Sequence, residues 1–577
     1  MKKTVALILA LVMTLALVAC GGDKPTSSPP SSTPSNPTTS TPATTDKPVE
    51  PEKPVDPDAW KYGGNLIVGT ANAWTTMDPH QNNASVGNVL IAHHIYEHLA
   101  IYDADGKLYS QVCDVEESAD GRTVKFTLRE RYFSNGKKIT IEDVEASIRR
   151  GVALLTEANF NKIWAGTTMK IEGDTITFTL EAFNVNFLYN LCAAANSYFS
   201  VMPKEICDKY PVTGGTMQSN GFLMGGTAPM IDKVEDVIGS GTYVLTKYVE
   251  EELILSRNEN YQIIENEAIG IAAPAKQYAD TITIQLNKDA SSRTAATIAG
   301  EYDVGYVSTD MQETAKTMGV KFLDPGTTWT HAIFFNLHES NSDSPIYNIN
   351  IRKAIRTVLD CNAVMLSVVG GAQWRVNLEP YGVVNTTSYK NTKMEDAGAY
   401  NVANKAKALE YMAAANYDGT PIKYLTTASG AFYNAAIVVI PQLESIGLKV
   451  EMMIVDSGSH SAMRKDPKTG HDIGCWEAQK HALNPVMSNT WTGVTEGWWS
   501  SPARTAAMEI MNSTPTGSAK SIAAYHDFLD AVIEDVPYVI FGHPTGLLAY
   551  RENVEKGSVG PVNYYYWNDY FLKDQRK

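Results

Sequence analysis

The chain has 577 residues, a formal net charge of −16 and 44% hydrophobic residues. That length exceeds what a single hydrophobic core supports, so two or more domains are expected. The acidic balance argues against a nucleic-acid partner, which would favour a basic face.

The first element is a targeting segment. Lys2 and Lys3 precede residues 5–18, an apolar run broken only by Thr14. The run is shorter than the roughly 20 residues a membrane-spanning helix needs, which makes it the apolar part of a secretory signal. It ends in Leu17-Val18-Ala19-Cys20 and resembles a bacterial lipobox. The resemblance implies a lipid on the Cys20 sulfur and cleavage before Cys20, with residues 1–19 as the lipoprotein signal peptide. Two acyl chains would make that anchoring durable, since one alone binds marginally. Residues 21–58 hold ten prolines and thirteen Ser/Thr and no aromatic residue. Such a segment cannot bury enough apolar surface to offset its conformational entropy, so a disordered tether over residues 20–59 is expected. Cys113, Cys192, Cys207, Cys361 and Cys475 remain in the body. Their odd number and scattered spacing read as four or five buried thiols with at most one or two bridges, and no C-x-x-C suggests zinc.

The body opens with "GGNLIVGT", residues 63–70, a short strand between glycines. Ile91, Ile95 and Leu99 then recur at helical spacing. "TVKFTL" alternates as a strand and runs into a Ser134-Asn135-Gly136 turn. Thr140 and Asp143 have capping-box spacing ahead of a helix. "DTITFTLEA" is a further strand, residues 239–261 read as a β-hairpin, and "ADTITIQLNKD" is a strand. "THAIFFNL" follows as a strand. "NIRKAIRTVLDCNAVMLSVVGG" reads as one helix with Ile351, Ile355, Val358 and Leu359 on one face. "PIKYLTT", "AAIVVIPQLESIG" and "LKVEMMIVD" give a strand–helix–strand order, which argues for a doubly wound α/β unit. Residues 534–554 hold strands able to rejoin the first half. No short internal repeat is present.

In this order the segments resemble the family 5 extracellular solute-binding proteins of ABC transporters. "GGNLIVGT" with "TMDPH", "IYEHLAIYDADGKL", "KFTLRERYFSNGKKITIEDVEASI" and "IGSGTYVLTKYVEEELILSRNENY" carry the likeness in the first half. "FFNLHESNSDSPIYNINIRKAIRTVLD" and "LESIGLKVEM" carry it in the second. The resemblance implies an α/β, two-lobed periplasmic-binding-protein-like fold (type II, cluster C) with a hinge and an extra subdomain in lobe one. Lobe one is then expected over about 60–328 plus 533–577, with the subdomain within about 110–235, and lobe two over about 329–532. It further implies a monomer held outside the cytoplasm by its lipid. The protein would take a small solute, foremost a peptide, between its lobes and hand it to an ABC permease and ATPase without cofactor or metal. A neutral polar ligand such as an oligosaccharide, a metal chelate, or a sensing role on the same scaffold stay open.

A cleft of this kind needs flat apolar surfaces and a few fixed polar groups. Trp374, Trp476, Trp491 and Trp498 in lobe two supply the former, since Trp offers the largest apolar face and one donor. Trp74 and Tyr96 are the candidates in lobe one. Peptide binders of the family place an aspartate after a Trp-Gly turn against the ligand's amino group. Here the corresponding string is Trp476-Glu477-Ala478-Gln479, so Gln479 stands at the aspartate's place, and Glu477 could substitute if the backbone shifts. Arg375 could meet a carboxylate bidentately. One string points elsewhere: His94, Glu97 and His98 read H-x-x-E-H, the pattern of an inverted zinc-peptidase helix, whose histidines would need one helix face and a distant third ligand.

Overall fold

A computed structural model describes residues 58–577 except 82–85, 104–106, 156–162, 193–196, 269, 309–310, 324–328, 370–373, 377, 379–388, 390, 480–489, 545–547, 556–565 and 574–577. The signal segment, the lipidation candidate Cys20 and the tether up to residue 57 lie outside the described residues. Asp58 and Ala59, expected as the end of the tether, are ordered instead, because Asp58 pairs with Lys61 and Lys276 and Ala59 opens a 3-10 turn.

Two sheets organise the body. The first has seven strands, ordered Tyr243–Tyr248, Glu252–Arg257, Thr281–Leu286, Asn65–Thr70, Val304–Gly305, Leu548–Tyr550 and Lys321–Leu323. Asn65–Thr70 lies at its centre, parallel to Thr281–Leu286 and Val304–Gly305. Its core holds Leu66, Val68, Leu253, Leu255, Ile282, Ile284 and Val304. The second sheet has six strands, ordered Trp374–Arg375, Tyr538–Pro544, Trp329–Phe335, Ile473–Gln479, Ile422–Thr427 and Val450–Val455. One face packs on the helices Ile349–Val358 and Ala431–Glu444, the other on Pro502–Asn512 and Ala519–Asp535. A separate antiparallel sheet, Cys113–Glu117, Thr123–Leu128, Thr175–Leu180 and Thr167–Glu172, closes its own core around Trp164, Phe126 and Phe178.

The C-terminal segment is divided between the two main sheets. Helix Ala519–Asp535 and strand Tyr538–Pro544 belong to the six-stranded unit, and the chain enters the seven-stranded sheet at Leu548–Tyr550. The long helix expected after Asn350 is two helices, Ile349–Val358 and Cys361–Val369. Leu359 is extended between them, and Asp360 accepts the Ala363 N–H to start the second. The capping box is present: the Thr140 hydroxyl accepts from Asp143 N, and the Asp143 carboxylate accepts from Thr140 N. The strand–helix–strand unit Ile422–Thr427, Ala431–Glu444 and Val450–Val455 is parallel in register Ile422 to Val450.

Among the buried ion pairs of lobe one, two tie distant segments together. Asp78, in the "TMDPH" loop, takes a bidentate contact from Arg150 of helix Ile141–Leu154 at 2.9 and 2.6 Å. Asp303 accepts from Ile67 N–H at 2.8 Å and pairs with Arg551 at 2.6 Å, tying the first strand to the returning chain. The five cysteines of the body are buried and free. Burial pushes the thiols of Cys113, Cys207, Cys361 and Cys475 up to about 12, so they act as small apolar side chains.

Removing one partner of a buried pair leaves an uncompensated charge and costs about 3–5 kcal/mol. Arg150→Met is expected to lower the urea midpoint accordingly, and Asp78→Leu added to it should recover part of the loss. Two buried histidines make stability depend on pH. Burial, aided by the nearby Arg150 charge, lowers His80 to about 4, and burial lowers His471 to about 4. Both values lie below that of the unfolded chain, about 6.5. The unfolded state therefore takes up protons first, and stability should fall as pH drops from about 6.5 towards 4. Urea midpoints at pH 7, 6 and 5 check this, with a shallower fall expected for His80→Gln/His471→Gln.

Candidate functional site

The chain crosses between the main sheets twice, and both crossings use one edge of each sheet. In the six-stranded sheet Trp329–Phe335 starts at that edge. Ile473–Gln479 and Tyr538–Pro544 run antiparallel to it and end there, pairing Trp329 with Gln479 and His331 with both Glu477 and Gly542. Ile422–Thr427 is parallel to Ile473–Gln479, so its last residues reach the same edge, and helix Ala431–Glu444 starts from it. In the seven-stranded sheet Leu323 and Leu548 pair at the corresponding edge. Asn65–Thr70 and Val304–Gly305 end beside Leu548, since Val304 faces Tyr550 and Gly305 faces Ala549. These edges, carrying the carboxyl ends of parallel strands, are where α/β sheets place ligands.

On the lobe-two edge the central group is Glu477. Its side chain is 39% exposed, and one oxygen accepts from Nε2 of the buried His331 at 2.6 Å. Burial raises the Glu477 carboxyl, but the His331 hydrogen bond and charge outweigh it, so the group sits below the usual carboxylate range. Phe432, in the first turn of helix Ala431–Glu444, stands edge-on to His331 at 6.2 Å and stacks on His460 at 5.0 Å. On the lobe-one edge a cavity of about 170 Å³ is lined by Thr70, Asn72, Arg293, Tyr306 and Trp567 among others. A larger cavity, about 510 Å³, lies between helix Ile141–Leu154 and the hairpin near Met217 and Leu223 and takes no residue from either edge.

Most of the tryptophans expected in the cleft are core residues. Trp476 is buried and stacks on Phe334 at 4.4 Å. Gly474 allows this, because a Cβ there would fall 2.3 Å from the Trp476 ring. Strand alternation then sends Glu477 to the opposite face. Trp491 is fully buried against Phe334 and Tyr538. Trp498 sits near His338 and His471, at the far edge of the six-stranded sheet. In lobe one Trp74 is buried and donates its indole N–H to the Val249 carbonyl at 2.9 Å, and Tyr96 lies in the same core. Trp374 pairs with Pro544 at the crossing edge, but its ring packs on the lobe-two core. The side chains of Arg375 and Gln479 lie outside the described residues. Glu477 alone among these candidates places a described polar side chain at an edge. Arg293, Tyr306, His331 and Phe432, which belong to none of the motifs above, stand at these edges instead. One signal existed: Arg293 is the single charged residue of helix Ala290–Ala299.

The H-x-x-E-H string does not form a zinc helix. The helix spans Val86–Ile95, so His94 lies in it while Glu97, His98 and Leu99 follow its end. Gly241 N–H takes the Ile95 carbonyl at 2.8 Å, and a Cβ on Gly239 would sit 2.0 Å from that oxygen. Glu97 pairs with Arg131 instead. His94 accepts from Trp567 N–H at 3.1 Å and stacks on the Trp567 ring at 5.3 Å. Among the described residues no group of three or more His, Cys, Asp or Glu is arranged to hold a metal ion.

Comparison with known proteins agrees with this architecture. Residues 107–517 match the model described as bacterial extracellular solute-binding proteins, family 5 Middle. The periplasmic oligopeptide-binding protein OppA of Haemophilus influenzae is 23% identical over 321 residues, 54% of this chain and 55% of that protein, so the match spans about half the relative's length. The crystal structure of the ABC transporter substrate-binding protein CtaP of Listeria monocytogenes superposes with a TM-score of 0.68 at 17% identity, covering 89% of this chain and 100% of that one. The oligopeptide-binding protein AppA of Bacillus subtilis, solved with a nonapeptide, gives 0.61 at 19% identity, covering 89% and 99%. These likenesses establish the two-lobed fold.

The placement of Trp476 has a direct check. Trp476→Ala should cost about 3–5 kcal/mol of stability, as for a buried aromatic, read as a drop in the urea midpoint. A tryptophan that lined the cleft would instead lose ligand at unchanged stability.

Proposed function

The chain belongs to the bacterial extracellular solute-binding proteins of family 5, and from that premise we propose that it captures short peptides between its two lobes for an ABC transporter. It is a binding protein of extracytoplasmic type, not an enzyme. The observation that carries the peptide reading is the Glu477–His331 pair. A half-exposed carboxylate, kept ionised by a buried imidazole at the edge where both chain crossings occur, suits a ligand ammonium such as a peptide's amino terminus. It takes the part that Gln479 cannot, because an amide carries no charge to pair with an ammonium. Phe432 beside it offers an apolar wall for the first side chain.

Capture works by differential contact. A peptide touching both edges binds only the approached form of the lobes and so shifts the population towards it. No bond is made or broken. The membrane permease then reads the approached form. Lipidation at Cys20 would hold the protein at the membrane surface, with residues 21–58 as the spacer.

The test is binding of a tryptic digest, read by mass spectrometry of retained peptides and by thermal shift. A peptide at a hundredfold excess over its Kd should stabilise the fold by about 2.7 kcal/mol. Glu477→Gln should weaken peptides with a free amino terminus by about 1.5–3 kcal/mol, the worth of a hydrogen bond to a charged group, and leave N-acetylated ones unaffected. Retention of no peptide would refute the reading.

A further inference from the structure

We propose that the lobe-one edge holds an anion subsite built on Arg293, which takes a carboxylate of the captured ligand. The inference rests on the reading of the cleft above and adds the ligand's charge at its second end.

Arg293 is 8% exposed, yet it has no acidic partner among the described residues. One nitrogen, Nη1, donates to the Asn287 carbonyl at 2.5 Å. The face of the guanidinium lies over the Tyr306 ring at 5.2 Å. Arg293 lines the cavity of about 170 Å³ at the ends of Asn65–Thr70 and Val304–Gly305. A sequestered guanidinium without a counter-charge is costly, and neither a neutral carbonyl nor a ring neutralises it. Its planar fork matches a carboxylate bidentately. In a chain of net charge −16 an anionic group is repelled over much of the surface, so a local cation is what would admit one.

The scaffold fixes this arginine. Asp289 caps helix Ala290–Ala299 by accepting from Ser292 N–H. Arg293 sits in the first turn, and Thr297, one turn on, donates to its carbonyl at 2.8 Å. Thr297 can approach the sheet only because residue 305 is glycine: a Cβ there would lie 2.3 Å from the Thr297 hydroxyl. The helix is thus seated so that Arg293 reaches the strand ends, while Tyr306, 39% exposed, forms the outer wall. Glu477 and Arg293 then offer opposite charges from the two lobes.

Dissociation constants for trialanine and trialanine amide, measured on the protein and on Arg293→Gln, test the subsite. Glutamine still has a donor for the Asn287 carbonyl, so a merely structural arginine would leave the preference unmoved. The acid should bind at least tenfold tighter than the amide, the preference should fall below threefold in Arg293→Gln, and Arg293→Lys should keep part of it. Equal binding of acid and amide, or an undiminished preference in Arg293→Gln, would overturn the proposal. If neither peptide binds, the peptide reading fails on its own, and succinate against succinamide decides the subsite. A midpoint raised by succinate alone and only with Arg293 present supports it, and no difference overturns it.

Discussion

Everything in this molecule turns on the pairing of the two chain crossings. Trp329–Phe335 and Tyr538–Pro544 are antiparallel neighbours in the six-stranded sheet, and Lys321–Leu323 and Leu548–Tyr550 are antiparallel neighbours in the seven-stranded one. Thr330 and His543, both buried, hydrogen-bond between the crossing strands at 2.9 Å. Two strands leaving one sheet side by side and entering the other side by side bring both crossings to one edge of each sheet. The ends of Asn65–Thr70, Val304–Gly305, Ile422–Thr427 and Ile473–Gln479 lie at those edges.

The edges differ in chemistry. The lobe-two edge is acidic and aromatic, with Glu477 held by His331 and flanked by Phe432. The lobe-one edge is a small cavity under a helix kept close by Gly305, with Arg293 and Tyr306 at its wall. Each edge depends on its core. Asp303 binds both Ile67 N–H and Arg551, so the returning chain and the central strand are fixed to one carboxylate. Phe334 and Trp476 stack beneath the lobe-two edge, and the alternation of the strand then sends Glu477 to the other face.

Local signals in the sequence were reliable where one interaction decides the outcome. The capping box at Thr140 and Asp143, the strands around Val68, Phe178 and Ile284, and the crossover unit from Ile422 to Val455 follow from spacing alone. After Asn350 the apolar period runs through Leu359 and predicts one continuous helix. At the break the side-chain oxygen of Gln442, distant in sequence, takes the Asp360 N–H at 2.7 Å. The stripe Ile91, Ile95 and Leu99 ran too far for a similar reason: Gly241 takes the last helical carbonyl. Tryptophans were a poor guide to the site, since a large ring serves a core as well as a cleft, and composition does not say which face of a strand it occupies. Trp476 and Glu477 are adjacent in sequence and opposite in role. Arg293 and His331 owe their meaning to spatial partners, Tyr306 and Glu477, which no local pattern pairs.

Small-angle scattering with and without bound peptide tests lobe approach most directly. The account predicts that the radius of gyration falls on saturation with a retained peptide and returns when the peptide is removed. An unchanged radius at proven saturation would contradict capture by lobe approach.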